Sequence, residues 1–217
     1  MDLKSFPIED QRKFIHEAAH AVVAFELGLE TDFVRVDLAG ELAYRQLSEE
    51  EKKEIPAIDY PLLHKLASKY LDLDKKTFGY FQFEFKHAIL AYAGYMAEIT
   101  FLGDINSDKY ERSSDQEKFE ELIAKISPLF IRCNRDLINE IWNSYPHSPN
   151  EELSKTKLTD RSTVFASVAQ SKCEQLLSSK DVKNRIFVLA NCLVKNKEVY
   201  GYEMERLFSE AGGVEGL

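Results

Sequence analysis

Residues 11–27 read Gln11-Arg12-Lys13-Phe14-Ile15-His16-Glu17-Ala18-Ala19-His20-Ala21-Val22-Val23-Ala24-Phe25-Glu26-Leu27, and Gly28 follows. Apolar residues fill most positions from Phe14 onward, no proline interrupts them, and Gly28 supplies a stop. The spacing predicts a helix that is apolar around most of its circumference, and such a helix must be buried. At its centre lie His16 and His20, one turn apart on one face, with Glu17 beside the first. Two imidazoles and a carboxylate are costly to bury unless they have partners. A single metal ion can serve all three. The His-x-x-x-His spacing suits two ligands of a tetrahedral Zn²⁺, and Glu17 can reach a water on that metal. The plainer alternative is a buried helix with two ordinary histidines.

Working outward, Phe33, Val34, Arg35, Val36, Asp37 and Leu38 alternate and are rich in β-branched residues, so 32–38 is expected to be a strand. Ala39-Gly40 signals a turn, and 42–47 can return as a second strand. Such a two-stranded piece offers an edge to an extended substrate, or simply covers the core. Residues 48–56 are a charged connection, 60–71 a helix and 73–80 a polar link. A second long buried helix is expected over 81–101, with Gly94 among small residues for close packing and Gly103 as its end. Ser113-Ser114-Asp115 starts a helix running to Ile126, with acidic residues near its positive end. Helices follow over 128–144, 163–177, 182–194 and 201–209, separated by a loop over 144–159. No internal repeat, low-complexity tract or Gly-rich phosphate loop is present.

The composition bounds the function. The 217 residues are 44% apolar and 30% charged, an ordinary globular balance, with net charge −9. No basic cluster stands out, so nucleic acid and anionic membrane are not expected as partners. The start, Met1-Asp2-Leu3-Lys4-Ser5, lacks the apolar core of a signal peptide. The apolar stretch 88–102 is too short to span a bilayer and contains Glu98. Cys133, Cys173 and Cys192 are odd in number and form no Cys-x-x-Cys pair, which fits reduced thiols in a cytoplasmic protein.

Three separated motifs carry a resemblance. His16-Glu17-Ala18-Ala19-His20-Ala21-Val22-Val23-Ala24 resembles the zinc helix of the FtsH-type metallopeptidases, the peptidase halves of membrane-anchored AAA+ proteases. Ala91-Tyr92-Ala93-Gly94-Tyr95-Met96-Ala97-Glu98-Ile99 is similar to that family's small-residue helix ending in Ala-Glu. Ser114-Asp115-Gln116-Glu117 is similar to its Asn-Asp-x-Glu segment. The order of the three matches the family, and residues 189–203 look like its terminal helices. Ala19 stands where the family usually has Gly, Tyr95 where it has Arg, and Glu111-Arg112-Ser113 where it has Thr-Gly-Ala. The 217 residues hold no AAA+ module and no transmembrane segment, so ATP-driven unfolding is not expected to be intrinsic to them.

A hydrolytic zinc site needs three protein ligands and an open fourth position. His16 and His20 supply two, and two acidic residues compete for the third. The resemblance implies Asp115, whose place at a helix start also suits an oriented carboxylate. Glu98, in an apolar run, suits a carboxylate hydrogen-bonded to a ligand histidine instead. Glu17 is the expected general base, passing the water's proton to the leaving amine. His64, His87 and His147 lack ligand spacing.

The expectation is therefore a mainly α fold over residues 1–217. A zincin-like helix with a small β-hairpin or sheet (1–127, catalytic) is followed by a C-terminal helical bundle (128–211). The expected activity is a metalloendopeptidase with one Zn²⁺ per chain, acting on unfolded or flexible protein or peptide substrates. A separate delivery or regulatory protein is a further candidate partner. Two rivals remain open: a catalytically silent metal-binding interaction protein of the same fold, and a narrow regulatory peptidase cleaving one specific partner.

Overall fold

The computed structural model describes residues 2–29, 31–36, 41–44, 75–103, 114–126 and 161–211. Among them the chain is mainly helical with one small antiparallel sheet. In order they form a 3₁₀ turn (Leu3–Ser5), α1 (Ile8–Glu26), β1 (Thr31–Arg35), β2 (Glu41–Tyr44) and α2 (Lys75–Leu102). Then come α3 (Ser114–Ile126), α4 (Arg161–Ser178), α5 (Lys180–Asn196), β3 (Glu198–Tyr200) and α6 (Gly201–Ala211). No helix among the described residues is long and apolar enough to cross a membrane.

The chain divides into two compact units, each drawn from separate stretches. The first comprises Met1–Gln46, Leu90–Ser113 and Cys173–Leu217, the second Leu47–Ile89 and Ser114–Lys172.

In the first unit, α1 is the central element. Glu9 and Asp10 stand in its first turn, where the helix dipole favours negative charge. Its end is set by Gly28, whose φ of 67° suits a residue without a Cβ. The Leu29 amide bonds back to the Ala24 carbonyl at 2.9 Å and the Gly28 amide to that of Phe25 at 3.0 Å, satisfying carbonyls the last turn leaves open. Ala18, Val22, Val23 and Ala24 are fully buried, and α1 packs chiefly on α5, which buries Ile186, Leu189, Ala190 and Leu193. The 3₁₀ turn leans on α5 as well, the Leu3 amide donating to Asn191 Oδ1 at 2.9 Å.

The sheet has the order β2-β1-β3, antiparallel throughout. Val34, fully buried at its centre, pairs with Leu42 on one side and with buried Val199 on the other. Arg35 and Glu198, directly opposed, form an ion pair at 3.7 Å. Lys197, in the left-handed region at φ 64°, ends α5 and turns the chain into β3; its carbonyl accepts from the Val36 amide at 2.8 Å. α6 follows at once and packs on α5, β1 and β3, burying Met204 and Phe208.

The second unit contains the first half of α2, with Gln82, Phe85, Lys86, Ala88 and Ile89 buried, and α3, with Phe119, Leu122, Ile123 and Ile126 buried. From the start of α4 it buries Phe165, Val168 and Ala169.

One expectation needs correcting and one element was not expected. The stretch 73–80, read as a polar link, is helical from Lys75 onward: its lysines and Gly79 mask a helical start that the following apolar run extends backward. The gap between the helices expected over 182–194 and 201–209, for which no element was expected, holds β3. This strand is three residues long, too short to show alternation, and exists because β1 offers it an edge. The turn at Ala39-Gly40, the connection over 48–56, the helices over 60–71 and 128–144 and the loop over 144–159 lie outside the described residues. So do His64, His147 and Cys133.

Candidate metal centre

The 3.6-residue period of α1 puts His16 and His20 one turn apart. Their rings meet edge to face, with centroids 4.7 Å apart and planes at 74°. The two Nε2 atoms lie 3.1 Å from each other. The Nδ1 atoms point the opposite way, and each meets an acceptor on α2. His16 Nδ1 lies 2.7 Å from Glu98 Oε1, and His20 Nδ1 lies 2.8 Å from the Leu90 carbonyl oxygen.

These contacts fix the chemistry of the rings. A carboxylate and a backbone carbonyl only accept, so both Nδ1 atoms carry hydrogen and donate. In a neutral imidazole the Nε2 atom then holds the lone pair. With both rings neutral, two lone pairs converge at 3.1 Å; with one ring protonated, the same distance is an N–H···N hydrogen bond. Tetrahedral zinc with Zn–N bonds of 2.0–2.1 Å sets its ligand nitrogens about 3.3 Å apart, so the bite of the pair already matches a metal. Histidine ligands usually donate the other ring nitrogen to a carboxylate or carbonyl, which sets tautomer and orientation and raises basicity. Glu98 and Leu90 are placed to do both.

Leu90, Gly94 and Glu98 are spaced by four along α2 and so share a face. Leu90 offers its carbonyl, Glu98 its carboxylate, and between them Gly94 leaves room for the His16 ring. His20 is buried, 7% exposed, while the His16 and Glu98 side chains are each 22% exposed. The pair is thus sheltered without being sealed.

Asp115 is the second residue of α3 and is half-buried. It belongs to the second unit, whereas His16, His20 and Glu98 belong to the first. Glu17 is half-buried on α1; by helix geometry it stands about 60° around the axis from His20 and about 100° from His16.

His87 bonds through Nδ1 to the Phe83 carbonyl at 2.9 Å, one turn back on its own helix, and burial is the main cause that lowers its pKa. Cys173 is buried and Cys192 half-buried, both as free thiols whose pKa burial raises. Two contributions escaped the sequence reading. The Leu90 carbonyl is backbone and leaves no signature. Gly94 was legible as a packing residue, but what it packs against was not.

No protein-family model matches the chain, and no curated protein matches it.

Proposed function

We propose that the chain is a zinc-dependent metalloendopeptidase of the FtsH type, binding one Zn²⁺ through His16, His20 and Asp115. The observation that carries this reading is the His16–His20 pair, with its Nε2 atoms converging at 3.1 Å and both Nδ1 atoms engaged from α2. The ordered motifs around Glu17, Glu98 and Asp115 add the family resemblance to the geometry.

Bound zinc would supply Lewis acidity, polarising the scissile carbonyl and lowering the pKa of water to about 7. The chain's own residues would do the rest. His20, held by the Leu90 carbonyl, and His16, held by Glu98, keep their donor atoms aimed without reorganisation. Glu17 accepts a proton from the attacking water at its carboxylate and delivers it to the leaving amine, a role worth about 10²–10⁴-fold in rate. The substrate is an unfolded or flexible protein segment, because a tightly folded backbone seldom leaves its own hydrogen bonds to extend across a cleft. The compartment is the cytoplasm, in keeping with the free thiols of Cys173 and Cys192. Nucleic acid is not a partner at net charge −9 with no basic cluster.

The test compares the unsubstituted protein with Glu17→Gln on a permanently unfolded protein substrate. Gln is nearly isosteric, so fold and metal content should persist while cleavage falls by at least about 100-fold. Equal cleavage by both proteins rules Glu17 out as the base, and metal-dependent cleavage by neither rules out the peptidase.

A further inference from the structure

We infer that Gly94 is a positioning residue for the metal centre: the missing side chain at this point of α2 sets where the His16 donor atom stands. A Cβ built on Gly94 would lie 2.5 Å from His16 Cε1, 2.6 Å from Nε2 and 2.7 Å from Cδ2. Ordinary carbon contacts begin near 3.5 Å. The three nearest atoms are the outer edge of the imidazole, and the middle one is the donor nitrogen. The ring therefore lies directly on the helix backbone, a seat that even a methyl group would fill.

His16 has little room to yield. Its Nδ1 is held 2.7 Å from Glu98 Oε1, one turn further along α2, and its Nε2 stands 3.1 Å from that of His20. His20 is tied in turn to the Leu90 carbonyl, one turn back from Gly94. Leu90, Gly94 and Glu98 thus act as a template of acceptor, gap and acceptor at four-residue spacing. Filling the gap pushes Nε2 outward by close to 1 Å, which breaks either the Glu98 bond or the bite of the pair. Metal–ligand distances hold to within about 0.2 Å, so such a displacement is read as lost affinity.

A glycine inside a helix otherwise has a cost. Alanine at an interior position is normally the more stable choice by reducing backbone freedom in the unfolded chain. Gly94 stands in the interior of α2 with His16 against it, so its helix cost is retained in favour of the ring.

The experiment is a double-mutant cycle on the full chain, Gly94→Ala with and without His16→Ala, following melting temperature without metal and Co²⁺ and Zn²⁺ binding with it. The inference rests on the metalloenzyme reading only for its metal arm. Gly94→Ala alone should fail to raise the melting temperature, weaken Zn²⁺ by about 10–100-fold and alter the visible spectrum of the Co²⁺ form. In the His16→Ala background the same substitution should raise the melting temperature, because the ring it met is gone. An equal effect of Gly94→Ala in both backgrounds, whether up or down, overturns the inference. So does unchanged metal affinity with an unchanged Co²⁺ spectrum. Should the unsubstituted protein take up no metal at all, the metalloenzyme reading falls, while the coupling between positions 94 and 16 in metal-free protein still decides this one.

Discussion

Replacing Glu98 by alanine separates the two acidic residues that compete for the metal. In the proposed assignment Glu98 does not touch zinc; it accepts the His16 Nδ1–H at 2.7 Å. Removing an outer partner of this kind costs about 10–100-fold in metal affinity, or about 1.4–2.8 kcal/mol. With each side chain only 22% exposed, water replaces the lost acceptor incompletely, so the outcome should fall well inside that range. Glu98→Gln keeps an acceptor oxygen but not the charge. Charge-assisted hydrogen bonds are roughly twice as strong as neutral ones, so this variant should lose about half the free energy, or about 3–10-fold. Asp115→Ala removes a direct ligand and should weaken zinc by more than about 100-fold, beyond the range of an outer partner. Competition titrations against a chromophoric chelator at fixed pH read all three. The ranking Asp115→Ala, then Glu98→Ala, then Glu98→Gln is the expected result. Abolished binding in Glu98→Ala with near-normal binding in Asp115→Ala would refute the assignment and make Glu98 the ligand.

Lys86, 1% exposed on α2, has its pKa pushed down from 10.5 to about 8 by burial, so the fold disfavours its charged form by at most about 3 kcal/mol at neutral pH. Below pH 8 the ammonium is present in folded and unfolded chains alike and the full penalty applies. Between 8 and 10.5 the unfolded chain binds the extra proton, so stability should rise with pH through that window. Denaturation of Lys86→Met should show a more stable protein at neutral pH, with the advantage fading above pH 8; a constant difference across the window would contradict this. Burial raises the pKa of both described thiols, Cys173 the more deeply buried. In the folded protein an alkylating reagent should therefore leave Cys173 untouched while labelling Cys192 slowly, as peptide mass spectrometry would show. Fast labelling of Cys173 under native conditions would show that its burial is not maintained.

Much of the first unit was legible because its signals are local. The apolar run of α1, its stop at Gly28 and the alternation of β1 each lie within a few residues, and the structure has all three elements. The His16–His20 pair was legible for the same reason. Glu98 was readable as a carboxylate that needed a partner in an apolar helix, although its distance from His16 in sequence is 82 residues. What the sequence hid depends on long-range pairing or on backbone. β3 forms only because Val199 meets Val34 across the sheet. The Leu90 carbonyl has no side chain to betray it, and the purpose of Gly94 appears only once the His16 ring is seen against it. Lys75 to Tyr80 were misread because polar residues open a helix whose buried part comes later.

The most direct test of the proposed metal centre is elemental analysis of the full chain, purified without added metal and again after incubation with zinc and removal of the excess. The proposed ligand set, built on the converging Nε2 atoms, predicts about one zinc per chain in a four-coordinate site, and its loss when His16 or His20 is replaced by alanine. Protein that carries no metal and takes up none, or that holds zinc equally well without the two histidines, would contradict it.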